Sequence, residues 1–237
     1  MSDEEKRRWR PKAGGSGAGG GGRSMYERVR ADRGRTPSQR AWIERQLNDP
    51  YVKRAKEEGW RSRAAFKLIE LDERCGLLGR GLRVIDLGAA PGGWTQVALK
   101  RGAGAVVGID LLPIDPIPGA ILLEMDFLAP EAEPALEAAL GGRPDLVLSD
   151  MAANTTGHSR TDQIKTGALA EAAALFALER LARGGAFVTK AFQGGLDTAL
   201  LGELKRGFES VRHAKPPASR AESSEVYVVA QGRRSAG

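Results

Sequence analysis

The chain has 237 residues, 41% hydrophobic and 28% charged, with a formal net charge of +6. That suits one sizeable α/β domain with appendages. No apolar run approaches the ~20 residues of a membrane span, and the start Met1-Ser2-Asp3-Glu4-Glu5 has no apolar leader, so a cytoplasmic protein that does not enter a membrane is expected. One cysteine, Cys75, and two histidines exclude a disulfide framework and give no metal-binding constellation.

Residues 1–40 carry a net +6 and residues 210–237 a net +3, whereas residues 81–209 carry −5. Basic ends around an acidic middle suit an enzyme acting on a polyanion, and on charge alone suit a solubilising tail equally well. Residues 1–36 include the run Gly14 to Gly22, broken only by Ser16 and Ala18, and read as a disordered basic extension. From Thr36-Pro37-Ser38 a helical pattern passes Trp42, Ile43 and Leu47, breaks at Asn48-Asp49-Pro50 and resumes over residues 51–58. A further helix is expected over about 62–78, with Ala65, Phe66, Leu68, Ile69 and Leu71 as its apolar positions. Residues 37–80 are thus N-terminal helices flanking a core at 81–237, the whole of 37–237 forming one structural domain. Lys53, Arg54, Lys56, Arg61, Arg63 and Lys67 make the helical segment a solvated face or a phosphate-contacting surface.

Beyond residue 80 strands and helices alternate. Strands are expected at 82–87, 105–110, 120–125, 145–150 and 185–191, and helices at 92–101, 131–140, 163–183 and 196–206. This is the pattern of a mostly parallel sheet with helices on both faces. Residues 208–214 and 225–231 read as two strands joined by a Pro-containing loop, with no room for a crossover helix, so they pair antiparallel and bring the sheet to seven strands. Met151, Leu175, Phe176 and Leu178 read as core, and His213 as a surface strand position. His158 falls in a polar loop that either touches RNA or is simply mobile.

The first of these strands ends in Val84-Ile85-Asp86-Leu87-Gly88-Ala89-Ala90-Pro91-Gly92-Gly93-Trp94. A side-chain-poor turn between strand and helix lets the backbone approach a ligand at the carboxyl edge of the sheet. Its spacing is neither Gly-x-Gly-x-x-Gly nor a phosphate-cradling P-loop. Asp110, 22 residues past Gly88 at the end of the next strand, suits the two ribose hydroxyls of an adenosine. Asp126 after the third strand suits the adenine side, and Asp86 a cationic amino group. A ribose acid without a phosphate anchor points to S-adenosylmethionine as the cofactor. An NAD-dependent oxidoreductase fits the turn poorly.

Asp150 and Lys190 close two apolar strands, Glu225 opens the last, and Lys67 sits on the helix before the core. A lysine at the end of a buried strand is costly unless paired. Two lysines and two acids at one sheet edge suit methyl transfer to a hydroxyl, with Lys190 as base or orienter and the acids positioning the lysines.

These residues carry a family resemblance. Ser62-Arg63-Ala64-Ala65-Phe66-Lys67-Leu68, the Asp86–Trp94 turn, Asp110 to Asp115, Met125-Asp126-Phe127, Ser149-Asp150-Met151-Ala152, Lys190-Ala191-Phe192-Gln193-Gly194 and Ser219 to Tyr227 occur in order. From about Trp60 to Gly232 the chain resembles the FtsJ/RlmE family of ribosomal RNA large-subunit ribose 2′-O-methyltransferases. The resemblance implies a Rossmann-like class I S-adenosylmethionine-dependent methyltransferase fold and a catalytic Lys-Asp-Lys-Glu tetrad at Lys67, Asp150, Lys190 and Glu225. It implies cofactor contacts at Gly92, Trp94, Asp110, Asp126 and Asp150. The implied reaction is methylation of a uridine ribose 2′-hydroxyl in 23S rRNA of the assembling large subunit, by a metal-free enzyme expected to be a monomer. Another RNA, such as tRNA or an mRNA cap, and a non-catalytic assembly factor on the same fold are the alternatives. The family often has Met-Ala-Pro-Asn after the fourth strand, where this chain has Met151-Ala152-Ala153-Asn154. Losing that proline frees φ in the substrate loop.

Overall fold

The computed structural model describes residues 36–153, 159–192 and 196–235. The Gly-rich extension, Asn154, His158 and the Gln193-Gly194 end of the Lys190 motif lie outside the described residues. The chain divides into two units, residues 1–48 and 49–237. In the first, α1 (Pro37–Asn48) opens on a reciprocal cap: Gln39 N–H donates to Thr36 Oγ1 (3.2 Å) and Thr36 N–H to Gln39 Oε1 (2.9 Å).

The second unit begins at α2 (Pro50–Glu57), where the Asp49 carboxylate accepts from Tyr51 N–H and proline occupies the first turn. Helix α3 (Ala64–Cys75) stops at Gly76, whose φ of 62° is left-handed. There follow β1 (Arg83–Leu87), α4 (Gly93–Lys100), β2 (Ala105–Asp110), β3 (Ala120–Glu124), α5 (Ala132–Leu140) and β4 (Leu146–Ser149). Then come α6 (Ser159–Arg180), β5 (Ala186–Phe192), α7 (Thr198–Gly207), β6 (Phe208–Ala214) and β7 (Glu225–Arg233). Helix α6 starts four residues before its expected position. Helix α7 runs straight into β6, the two meeting at Gly207 and Phe208.

The sheet has the order β3-β2-β1-β4-β5-β7-β6, parallel except for β7, which pairs antiparallel with both β5 and β6. Side chains alternate between its faces. Ile85, Val107, Val147 and Phe187 pack on one face with Leu136, Ala177 and Leu204 of α5, α6 and α7. Val84, Val106, Leu148 and Val188 pack on the other with Leu68 of α3 and Val97 of α4. Phe176 and Leu178 join the first layer as expected, but Leu175 is 45% exposed. Being next to Phe176, it turns about 100° away from the stripe facing the sheet. His213 is exposed on β6.

Two features of this topology position the site. Chain order reverses between β1 and β4, so the loops leaving their carboxyl ends diverge and open a crevice. The antiparallel β7 starts at the same edge, with Glu225 opposite Phe192 and Tyr227 opposite Lys190. Among the described residues no helix is long and apolar enough to cross a membrane.

Candidate active site

The β1–α4 turn is tied to β2. Gly88 and Ala89 N–H groups donate to Ile109 O (2.9 and 3.1 Å), and Ala90 N–H to Asp110 Oδ2 (2.9 Å). The other Asp110 oxygen accepts from Leu112 N–H at 2.9 Å, so one carboxylate holds both loops of the crevice. Gly88 is required here twice over: its φ is +75°, and a Cβ would lie 2.7 Å from Met151 Cγ in the loop after β4. Arg61, between α2 and α3, reaches over the same turn. Its guanidinium donates to the carbonyls of Pro91 (3.2 Å), Asp115 (2.6 Å) and Pro116 (2.8 Å), joining the turn to the β2–β3 loop.

Below the turn, Asp86 is fully buried. Thr95 Oγ1 donates to one of its oxygens at 2.7 Å, while the other has no hydrogen-bond partner. Burial pushes this carboxyl up to about 7, against the Thr95 hydrogen bond and helped by the negative charges of Asp150 and Asp110. Asp86 thus faces α4 and does not line the crevice cavity, where sequence reasoning had it near an amino group.

That cavity has a volume of about 270 Å³ and is lined by Gly88, Asp110, Leu112, Asp126, Phe127 and Asp150, among others. It is near the lower end of small-molecule sites, about 300–1,000 Å³. Three of the expected cofactor residues, Asp110, Asp126 and Asp150, meet there. Gly92 and Trp94 do not line it. The Trp94 indole is 3% exposed, donates to Ala64 O at 2.7 Å and lies against the Tyr227 ring, with centroids 5.7 Å apart. Its side chain is thus committed to the core.

Next to the cavity lie the four charged residues. Lys190 is 7% exposed, and its Nζ donates to Asp150 Oδ1 (3.0 Å) and to the Asp150 carbonyl (2.6 Å). Lys67 Nζ lies 2.9 Å from Glu225 Oε2 and 3.9 Å from Asp150 Oδ2. Burial pushes the Asp150 carboxyl up, but the Lys190 and Lys67 ammoniums and the Tyr227 hydroxyl outweigh it and hold the group below the usual carboxylate range.

The FtsJ-like methyltransferase family model matches residues 60–233. The chain belongs to that family. It is 61% identical over 211 residues to the ribosomal RNA large subunit methyltransferase E of Novosphingobium aromaticivorans, covering 89% of this chain and 95% of that one. It is 55% identical to the protein of the same name from Hyphomonas neptunium over 99% of this chain and 100% of that one. Among solved structures it resembles a putative ribosomal RNA methyltransferase from Plasmodium falciparum (TM-score 0.64, 29% identity, 75% of this chain and all of that one). A putative hemolysin from Streptococcus thermophilus, at 19% identity and TM-score 0.56 over 75% of this chain and 68% of that one, shares the fold.

As a member of this methyltransferase family the chain is an enzyme that uses S-adenosylmethionine, and the crevice fits that cofactor. Its cavity is lined by Gly88 of the turn and by the carboxylates of Asp110, Asp126 and Asp150. Three residues have roles in the site that sequence reasoning did not assign to them. Tyr227 donates its hydroxyl to Asp150 Oδ1 at 2.7 Å. Burial first, and then the Asp150 and Glu225 charges, push this phenol well above its ordinary range, so it stays a donor. Ser219 Oγ donates to Glu225 Oε1 at 2.7 Å. Arg61 is the third. The Ser219-to-Tyr227 motif contained two of them, but nothing in its spacing distinguishes a strand residue that faces the site from one that fills the core.

Proposed function

We propose that this enzyme methylates the ribose 2′-hydroxyl of a uridine in 23S rRNA of the maturing large ribosomal subunit, as a cytoplasmic monomer. The observation that carries the reading is the cluster of Lys67, Asp150, Lys190 and Glu225 at the edge of the cofactor crevice, joined by hydrogen bonds and by the 3.9 Å Lys67–Asp150 ion pair. The names of the relatives above, at 55% and 61% identity, support the substrate.

S-adenosylmethionine supplies an already electrophilic methyl group, so the protein's task is to align the acceptor and remove its proton. Asp110 would hold the ribose hydroxyls, Asp126 the adenine side, and the Gly92–Trp94 backbone, with Asp150, the methionine end. Lys190 would orient the 2′-hydroxyl and, once its ammonium has passed a proton to solvent, take the hydroxyl proton as the oxygen–methyl bond forms and the methyl–sulfur bond breaks. Asp150 fixes the Lys190 amine on the acceptor's path and stabilises the ammonium that results. Lys67 and Glu225 complete the charge balance: Glu225 neutralises Lys67, and Lys67 faces the second Asp150 oxygen.

The test is transfer of label from tritiated S-adenosylmethionine to isolated 23S rRNA, intact large subunits and tRNA in parallel, with the label mapped to the nucleotide. Label on a single uridine ribose of large-subunit RNA is expected. Label on tRNA alone overturns the substrate, and no label on any RNA overturns the activity.

A further inference from the structure

The edge of the sheet opposite the crevice carries a second concentration of charge. Arg143 precedes β4, Arg183 lies in the turn between α6 and β5, Arg233 ends β7 and Arg234 follows it. These four, from three distant parts of the sequence, line a cavity of about 630 Å³ in which Glu179 is the acidic lining residue. The sheet assembles it. Gly184 N–H donates to Arg233 O (2.8 Å) and Arg233 N–H to Gly185 O (2.9 Å), which seats the end of β7 against the start of β5.

Elsewhere in the fold Arg54, Arg63, Arg83, Arg101, Arg180 and Arg220 each face a carboxylate, whereas the scattered, exposed Arg74, Arg80 and Arg206 do not. Around this cavity no arginine does, among the described residues. Arg143 and Arg233 are held instead by carbonyls. Arg143 Nη1 lies 3.3 Å from Glu179 O and 3.5 Å from Leu181 O, and Arg233 donates to Leu178 O and Gly207 O. Capping the negative end of α6 accounts for these two. It leaves Arg183 and Arg234 unexplained. Both are exposed, and no side-chain hydrogen bond or ion pair is made by either among the described residues.

Several guanidiniums left without acids around one concave surface repel one another unless an anion is present. Their planar forks match phosphodiester oxygens. We propose that this arginine-lined cavity is a second RNA contact, gripping backbone phosphates of the substrate away from the target ribose. The proposal rests on the reading of the protein as an RNA methyltransferase. Strand β5, seven residues long, separates the two edges by roughly 20 Å at about 3.3 Å per residue. The phosphates gripped therefore belong to another part of the RNA than the nucleotide being methylated.

The test uses the full chain with Arg183→Ala and Arg234→Ala combined, beside the charge-keeping pair Arg183→Lys and Arg234→Lys. Binding to a 23S rRNA transcript is followed by fluorescence anisotropy across a salt series, and methylation of isolated large subunits is measured in parallel. The alanine pair should raise the KM for RNA about tenfold, leaving S-adenosylmethionine affinity and kcat at saturating RNA unchanged. Its plot of log affinity against log salt should flatten by about 1.5, since each phosphate contact contributes roughly 0.7–0.9. The lysine pair should restore the slope. Parental affinity and slope in the alanine pair overturn the proposal, and so does equal loss in both pairs, because the contact is then not one of charge. If the parent binds RNA with the arginine-dependent slope but methylates none, the activity falls and the RNA contact stands. Should the alanine pair fail to fold, Arg183→Gln alone, with an expected slope change of about 0.8, decides the matter.

Discussion

Asp150 carries the most interactions of any residue in the site. Its Oδ1 takes hydrogen bonds from Lys190 and Tyr227, its Oδ2 faces Lys67, and its own carbonyl takes the second Lys190 bond. Replacing Lys190 by alanine leaves the cavity lining untouched, so methyl transfer should fall about 10²–10⁴-fold, the usual worth of a positioned proton acceptor. S-adenosylmethionine affinity by calorimetry should hold within about twofold. Loss of both together would mark Lys190 as structural. Tyr227→Phe deletes one donor to a buried carboxylate and should cost about 1–3 kcal/mol of stability in chemical denaturation.

Asp86 gives a pH signature. Its folded value of about 7 lies above the ordinary carboxylate range, so the stability it contributes is complete below that range and is lost as pH rises through about 7. Asp86→Asn keeps the shape and an acceptor for Thr95 but cannot ionise. The melting temperature of the variant relative to the parent should therefore be higher at pH 8 than at pH 5, and a constant difference would refute the assignment.

At the scale of elements, the linker between α2 and α3 has a role that helix patterns do not reveal. Arg61 holds the carbonyl ends of two loops that enclose the crevice, and Gln96 of α4 receives the Arg61 N–H at 2.8 Å. Arg61→Ala should weaken S-adenosylmethionine binding about tenfold while kcat at saturating cofactor changes little. A matching fall in melting temperature and kcat would instead assign it to general packing.

For the whole molecule, charge is the organising quantity. Residues 81–209 are net acidic, yet they supply Arg143 and Arg183 to the basic cavity at the amino edge. The first 40 residues carry +6. Removing residues 1–35, which leaves the Thr36 cap of α1 intact, should keep cofactor affinity unchanged and weaken RNA binding at low salt only. A truncated chain that binds S-adenosylmethionine poorly would contradict this.

What was legible in the sequence was local. Short continuous apolar runs placed the strands, the 3.6-residue pattern placed the helices, and the glycine turn after β1 marked the cofactor edge, because each signal depends on neighbours a few residues apart. Their places at strand ends and on the preceding helix singled out the four charged residues, and the family resemblance gave them the role of a tetrad. Their pairing was decided only by the tertiary structure. The Lys67–Glu225 contact spans 158 residues, and it exists because β7 enters antiparallel, bringing Glu225 and Tyr227 beside Lys190 at the carboxyl edge. By the same logic, no local pattern could send Trp94 into the core, turn Asp86 onto α4, or gather Arg143, Arg183, Arg233 and Arg234 at the opposite edge. Sequence fixes which way a side chain points within its own element, while strand order and register decide what it meets.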